Sequence, residues 1–275
     1  MTDTAQPKGV FAQIAQVYQT SRKDRDLAWN VYVARPLAAV LVWILARTPF
    51  TPNQVSFIGA FLFFGVALAL VASTSPWAVV AAAFMIQFSY LFDCADGQLA
   101  RLTGKASSVG MYLDFLIDEL KAALLVGALS VRLWLVYGQE WWLIAGIVGV
   151  SLASLATSLT TFIRRPEYAG EEIKPGVYVE REAPRSLVGK VVRLIETVAQ
   201  LVIHYPSWFH FAAILGLFDL MALVGVTDFR LDGALIFFVP FMGIYLLYAS
   251  KTTLAIFLKL ASPKFYDQPK EGEAS

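Results

Sequence analysis

The sequence predicts an all-α, polytopic membrane protein with six transmembrane helices, preceded by an N-terminal interfacial amphipathic helix. Of its 275 residues, 57% are hydrophobic and only 16% are charged, whereas soluble domains have roughly 25% charged residues. The apolar residues also gather into blocks of about 20, the length that crosses a hydrocarbon layer of ~30 Å. Together, these two observations exclude an ordinary water-soluble fold.

Six apolar segments, separated by polar breaks, predict the six spans. They cover residues 53–73, 77–100, 108–136, 141–163, 207–227 and 233–258. A further apolar stretch, Trp29 to Ala46, is short and is interrupted by Arg35 and Pro36. With six spans, 18 of the 22 cationic residues fall on one face of the membrane, which the positive-inside rule assigns to the cytoplasm. We therefore interpret residues 29–48 as an interfacial helix rather than a seventh span.

The remaining segments are polar, and we assign residues 1–275 to a single membrane domain. Its six-helix bundle covers residues 53–258, between a polar tail at 1–28 and another at 259–275. The first tail has no apolar core of the signal-peptide kind. The one long polar loop, 164–200, ends in a stretch with the spacing of an amphipathic helix. We expect this loop and both termini in the cytoplasm, with the protein in the cell's inner membrane.

Charge and cysteine content exclude several functions. The net charge is +1 and no basic patch is interleaved with aromatic residues, so we expect no nucleic-acid partner. The single cysteine, Cys94, excludes an intrachain disulfide and a cysteine-cluster metal site, and we expect it to be buried. The two histidines, His204 and His210, can at most contribute to a mixed metal site.

Four aspartates lie where a membrane tolerates them poorly. Asp93 and Asp96 are near the end of the second span, and Asp114 and Asp118 are near the start of the third. A carboxylate within a span costs roughly 2.5 to 3.5 kcal/mol. The i, i+3 and i, i+4 spacings place each pair on one helix face, and the short link 102–108 makes the helices antiparallel neighbours.

The two pairs can therefore converge, and a shared cation would compensate their charge. Hard oxygen ligands without histidine or cysteine favour Mg²⁺, Mn²⁺ or Ca²⁺. A pair of divalent ions is the simplest compensation. The alternative, solvated acids at helix ends, suits a lone aspartate better than this group of four.

This region resembles the signature of the CDP-alcohol phosphotransferase family, also called CDP-alcohol phosphatidyltransferases. All eight fixed positions of the signature are filled, within 26 residues, by Asp93, Asp96, Gly97, Ala100, Arg101, Gly110, Asp114 and Asp118. The resemblance extends to the segment Thr51 to Ser56, to the interfacial helix and to the number of spans.

The resemblance implies a reaction in which an alcohol attacks the β-phosphorus of a CDP-linked alcohol, usually CDP-diacylglycerol, and releases CMP. Asp118 resembles the family's general base. Its ligands for two ions, Mg²⁺ or Mn²⁺, correspond to Asp93, Asp96, Asp114 and Asp118. Its cytidine-diphosphate contacts correspond to Asn53, Ser56, Gly97, Arg101 and Ser107. Homodimers are usual in the family, so the resemblance also implies a homodimer.

The acceptor alcohol is less well defined. In the branch that makes phosphatidylinositol phosphate, basic residues hold the acceptor's phosphate, and the comparable positions here are Arg164, Arg165, Arg185 and Lys251. Ordinary positive-inside flanking also explains the first two, and snorkelling to the interface also explains Lys251. Glu119 stands where that branch usually has an arginine, and Lys121 and Asp219 have no assigned role. Inositol phosphate leads as the acceptor, followed by glycerol phosphate, then serine or an amino-alcohol.

Other classes fit the pattern less well. A transporter or proton channel also keeps carboxylates inside a bundle, but it does not require Gly97, Ala100 and Arg101 at fixed offsets. Membrane prenyltransferases bind a pyrophosphate through aspartates and Mg²⁺, but they arrange these acids differently and usually have more spans. A structural adaptor gives no reason for the acids.

Overall fold

The computed structural model describes residues 9–22, 29–163, 204–226 and 232–258, together with short pieces between residues 186 and 198. Every regular element in these ranges is helical, which confirms the all-α prediction for the described part of the chain. The helices are α1 (Val10–Ser21), α2 (Asn30–Leu45), α3 (Pro52–Ala72), α4 (Pro76–Leu102), α5 (Ser108–Tyr137), α6 (Trp141–Ile163), α7 (Tyr205–Leu223) and α8 (Gly233–Phe257).

A helix is present at each of the six predicted spans. Among the described residues, four stretches are long and apolar enough to cross a membrane: Pro52–Ala72, Pro76–Leu102, Val109–Tyr137 and Gly233–Phe257. Shorter apolar stretches are Asn30–Leu45, Trp141–Ala156 and Trp208–Ala222. The chain is thus a polytopic membrane protein, and the number six remains a prediction.

Side-chain caps fix where the helices around the aspartates begin. Thr51 and Gln54 form a capping box at the start of α3, with Pro52 in the first turn. Ser75 accepts a hydrogen bond from the Trp77 amide at the start of α4. The Ser107 hydroxyl accepts one from the Gly110 amide, at 3.1 Å, at the start of α5. These caps satisfy backbone amides that have no partner within the first turn of each helix.

The helices form two compact units, residues 1–128 and 129–275. The first unit contains α1 to α4 and the beginning of α5, and the second contains the rest of α5 with α6, α7 and α8. The single domain predicted for residues 1–275 remains a prediction.

In the first unit, α2 packs on α4 through small side chains, and Val55 of α3 belongs to the same buried cluster. Ala34, Ala38 and Val42 recur every four residues and are fully buried, so they form one stripe along α2. Cys94 and Ala95 of α4 belong to the same buried cluster, and small residues let helices approach closely. The prediction that Cys94 is buried is confirmed. The segment predicted to be interfacial, 29–48, thus contains the helix α2. Its location at the membrane surface remains a prediction.

The first helix, α1, lies inside the segment predicted as a polar tail. The Tyr18 hydroxyl donates to the Val31 carbonyl at 3.2 Å. The Gln13 side-chain oxygen accepts from Trp43 Nε1 at 3.1 Å and from Arg47 Nη2 at 2.8 Å. These contacts attach α1 to α2 and to the turn that follows it.

Helices α3 and α4 approach each other closely at Gly59. A Cβ atom there would lie 3.1 Å from Phe92 Cβ and 3.2 Å from the Ser89 carbonyl oxygen. The Ser89 hydroxyl donates to the Gly59 carbonyl at 2.7 Å. This contact fixes α4 against α3 immediately before Asp93, whose amide nitrogen would be 3.7 Å from the same Cβ.

The core of the second unit contains a group of aromatic rings. Phe237 of α8 packs on Phe209 of α7, with ring centroids 5.0 Å apart, and on Phe241, at 4.8 Å. Trp142 of α6 meets Phe238 edge to face. Arg132 of α5 is also buried in this unit.

Candidate active site

Three of the four aspartates converge in the first unit. Asp93 comes from α4, and Asp114 and Asp118 come from successive turns of α5. One carboxylate oxygen from each lies within 4.8 Å of the other two. The i, i+4 spacing on α5 and the short α4–α5 link produce this meeting. The sequence predicted that both pairs would converge, Asp96 included.

The fourth aspartate, Asp96, has a different partner. It is 8% exposed, and the Ser56 hydroxyl of α3 donates to its Oδ2. Asp96 is not one of the three whose oxygens share the 4.8 Å cluster. The bond still joins two residues that the sequence analysis had assigned to the site, one to the metal and one to the nucleotide.

A lysine that the sequence analysis left without a role lies in the acidic cluster. Lys121 of α5 is 1% exposed. Its Nζ is 2.5 Å from Asp93 Oδ1 and 4.0 Å from Asp118 Oδ1. The signal was present in the sequence, because residues 114, 118 and 121 follow the i, i+4, i+7 pattern of a single helix face.

The donor set fits a divalent metal ion. Its oxygens come from Asp93, Asp114 and Asp118, and carboxylates are the ligands that Mg²⁺, Mn²⁺ and Ca²⁺ prefer. The Asp118 side chain is 49% exposed, so the cluster is accessible from outside the helices. The ammonium group of Lys121 against Asp93 offsets part of the negative charge of the cluster.

Two of the predicted nucleotide contacts meet beside Gly110. A Cβ atom at Gly110 would lie 3.4 Å from Asn53 Oδ1 and 3.4 Å from Ser107 Oγ. The start of α3 and the start of α5 are therefore adjacent there. An amide and a hydroxyl at this place can donate and accept hydrogen bonds.

The predicted contact Arg101 also has a structural role. Its Nε donates to the Ser21 carbonyl, at 2.7 Å, at the end of α1. Its guanidinium lies over Gly97, where a Cβ atom would be 3.4 Å from Nη1. Sequence reasoning missed the bond to Ser21 because the two residues are 80 positions apart, with no local pattern that connects them.

Of the four predicted acceptor-binding residues, Lys251 alone lies within the described part of the chain. Arg164, Arg165 and Arg185 lie outside the described residues. Of the stretch 186–200, whose spacing predicts an amphipathic helix at the end of the loop, seven of the fifteen residues lie outside them as well. Lys251 is an exposed residue of α8 in the second unit. Asp219 belongs to α7, and its side chain is outside the description.

Residues 50–227 match the family model described as CDP-alcohol phosphatidyltransferase. The chain belongs to this family. The match covers more than half of the chain and includes all four aspartates. A curated relative is the phosphatidylinositol phosphate synthase of Corynebacterium glutamicum, which is 29% identical over 163 residues, 59% of this chain and 68% of that protein. The chain is therefore a CDP-alcohol phosphotransferase, a membrane transferase of phospholipid biosynthesis, rather than a transporter, a prenyltransferase or an adaptor.

Proposed function

We propose that this chain transfers a phosphatidyl group from CDP-diacylglycerol to inositol phosphate and releases CMP. The observation that carries the reaction is the convergence of Asp93, Asp114 and Asp118 in a chain of this family. The acceptor is supported by the name of the relative, a phosphatidylinositol phosphate synthase.

Asp118 is proposed to act as the general base. Its half-exposed carboxylate takes the proton of the acceptor hydroxyl while that oxygen forms its bond to the β-phosphorus. The bond between the β-phosphorus and the oxygen of CMP breaks, and CMP leaves with the electron pair. The hydroxyl must reach Asp118 from the open side of the cluster, because the opposite side contains Asp93 and Lys121.

The four aspartates, Asp93, Asp96, Asp114 and Asp118, are proposed to hold two divalent ions, Mg²⁺ or Mn²⁺. Such ions supply positive charge that binds the pyrophosphate and offsets the charge on the departing CMP. The Ser56 hydroxyl keeps the carboxylate of Asp96 oriented. Asp96 thus belongs to the site although it lies outside the closest cluster.

The nucleotide is proposed to bind along the ends of α3, α4 and α5. Asn53 and Ser107 meet beside Gly110, and glycine at that position permits a close approach of ligand and backbone. The Arg101 guanidinium, lying over Gly97, supplies positive charge for a phosphate. Ser56 completes the proposed set.

The acceptor's phosphate is proposed to bind Arg164, Arg165, Arg185 and Lys251. Glycerol phosphate is the next candidate acceptor, followed by serine or an amino-alcohol. Glu119 stands where the branch that makes phosphatidylinositol phosphate usually has an arginine. Because of this difference, the assay below includes the other acceptors.

The proposed setting is the inner membrane of the cell, crossed by six helices of one domain. The site and both termini face the cytoplasm, α2 lies in the interface, and the protein works as a homodimer. The placement of 18 of 22 cationic residues on one face supports this orientation.

The decisive experiment is a transfer assay with the purified protein, Mg²⁺, CDP-diacylglycerol and a panel of acceptors. Mass spectrometry should show CMP and phosphatidylinositol phosphate appearing together when inositol phosphate is supplied. EDTA should stop the reaction, and Mg²⁺ or Mn²⁺ should restore it. Absence of CMP release with every acceptor would refute the proposed reaction, whereas CMP release with another acceptor would refute only the choice of inositol phosphate.

The acceptor's phosphate contact can be tested at Arg185. Arg185→Ala should raise the KM for inositol phosphate about tenfold, since a charge-assisted contact is lost, with little change in the KM for CDP-diacylglycerol. Lys190→Ala is the matched control because it removes an exposed cation from the same loop. Equal effects of Arg185→Ala on both KM values would favour a neutral acceptor.

A further inference from the structure

Lys121 is the most unusual side chain of the acidic cluster. It is 1% exposed within a helix that is apolar enough to cross a membrane. Its ammonium touches Asp93 at 2.5 Å and lies 4.0 Å from Asp118. A buried cation in such a helix is costly unless it is paired, and here it is paired with two of the carboxylates that are proposed to hold metal.

These contacts give Lys121 two opposing effects on the cluster. Three carboxylates within 4.8 Å of one another repel each other, and the lysine offsets part of that repulsion when no metal is bound. The same ammonium occupies Asp93 Oδ1, an oxygen from the group that would bind the ion. A lysine stem has four carbons and can swing its ammonium away.

From this geometry we infer that Lys121 is a built-in cation that competes with the divalent ion for Asp93. It keeps the unloaded cluster folded in the membrane, and it weakens metal binding so that the site loads and unloads readily. Lys121 is thus a positioning residue rather than a catalytic one. The inference rests on the proposed metal site.

The test is Mn²⁺ binding to the full-length protein in nanodiscs, measured by the electron paramagnetic resonance signal of free Mn²⁺ after EDTA treatment and dialysis. Lys121→Met removes the competing charge, so the dissociation constant for Mn²⁺ should fall about tenfold. The melting temperature of this variant should fall in EDTA and recover with Mn²⁺, because only the bound ion then offsets the negative charge of the carboxylates.

Three further variants separate charge from shape. Lys121→Arg keeps a cation and should bind Mn²⁺ about as the parent does. Lys121→Gln keeps a hydrogen-bond donor without the charge and should bind more tightly, and it also carries the test if Lys121→Met does not fold. The matched control is Lys105→Met, which removes an exposed cation from the α4–α5 link and should change neither quantity.

Unchanged or weaker Mn²⁺ binding in Lys121→Gln would overturn the inference, because loss of the charge alone would then have no competitive effect. Neither measurement needs a CDP-alcohol. Lysine-dependent Mn²⁺ binding without any CMP release would therefore refute the proposed function alone. Normal transfer with Mn²⁺ binding that is independent of Lys121 would refute this inference alone.

Discussion

The two compact units differ in what their interiors contain. In the first, charged and polar side chains contact one another: Lys121 with Asp93, and Ser56 with Asp96. In the second, the closest interior contacts include those among aromatic rings such as Phe209 and Phe237. A group of carboxylates within apolar helices is expensive and implies a use, whereas ring contacts supply packing. Substitutions should therefore change chemistry in the first unit and stability in the second.

The largest expected effect is at Asp118 in the first unit. Asp118→Asn removes the proposed base while it nearly preserves volume, and kcat should fall about a thousandfold. CMP release at saturating substrates measures the loss, and size-exclusion chromatography with tryptophan fluorescence checks folding.

The matched control for Asp118→Asn is Glu119→Gln. It removes the same charge from the next residue, which is not part of the proposed site, so kcat should change by less than about twofold. An equal loss in Glu119→Gln would mean that the overall charge at this end of α5, rather than a base at Asp118, supports turnover.

The sequence predicted that aspartates of the first unit would meet, because charged side chains inside a membrane are tolerated only when they are paired or share a cation. Fixed spacings in two adjacent helices were enough to bring Asp93, Asp114 and Asp118 together. Lys121 follows from the same helical periodicity, but its role depends on a partner across the helix pair. The bond from Arg101 to Ser21 has no periodic signal, because a tertiary contact between distant segments creates it.

In the second unit, the sequence predicted the positions of the helices but not the contacts between them. Its apolar runs predicted helices at the right places, but hydrophobicity alone could not predict which rings would meet. Phe237 and Phe241 are at positions i and i+4 of one helix, so the helical period alone predicts that their side chains are neighbours. The contact between Phe209 and Phe237 joins separate helices, so it depends on how α7 and α8 cross.

The next largest effect should be at Phe237, and it should appear only in stability. Phe237→Ala removes a fully buried ring and should lower the free energy of unfolding by about 3 kcal/mol, the lower end of the range for Phe→Ala. Thermal unfolding in detergent measures this loss. The KM values of the folded fraction should stay unchanged.

Phe257→Ala is the control for Phe237→Ala because it removes a ring that is 84% exposed on the same helix. It should change the free energy of unfolding by less than about 0.5 kcal/mol. If Phe237→Ala instead left stability unchanged and raised a substrate KM, the second unit's core would be part of the substrate site.

A smaller effect is expected at Ser56. Ser56→Ala removes the hydroxyl that donates to the buried carboxylate of Asp96. Losing one hydrogen bond to a charged group should lower kcat/KM for the CDP-alcohol about tenfold. Initial rates at several CDP-diacylglycerol concentrations measure the change. Ser56→Thr keeps the hydroxyl and should recover most of the activity, and failure to do so would indicate that the fit of the small side chain matters more than its bond.

The smallest effect is expected from the equivalent change in the second unit. The Ser130 hydroxyl donates to the Trp142 carbonyl at 2.6 Å, and Gly146 leaves room for the serine, since a Cβ atom there would clash with it. The carbonyl lies in the first turn of α6 and also accepts within its helix, so Ser130→Ala should cost at most about 1 kcal/mol of stability. Thermal unfolding and kcat/KM should be measured on the same preparation as for Ser56→Ala. A loss of kcat/KM in Ser130→Ala comparable to that of Ser56→Ala would mean that the two units do not divide chemistry from packing.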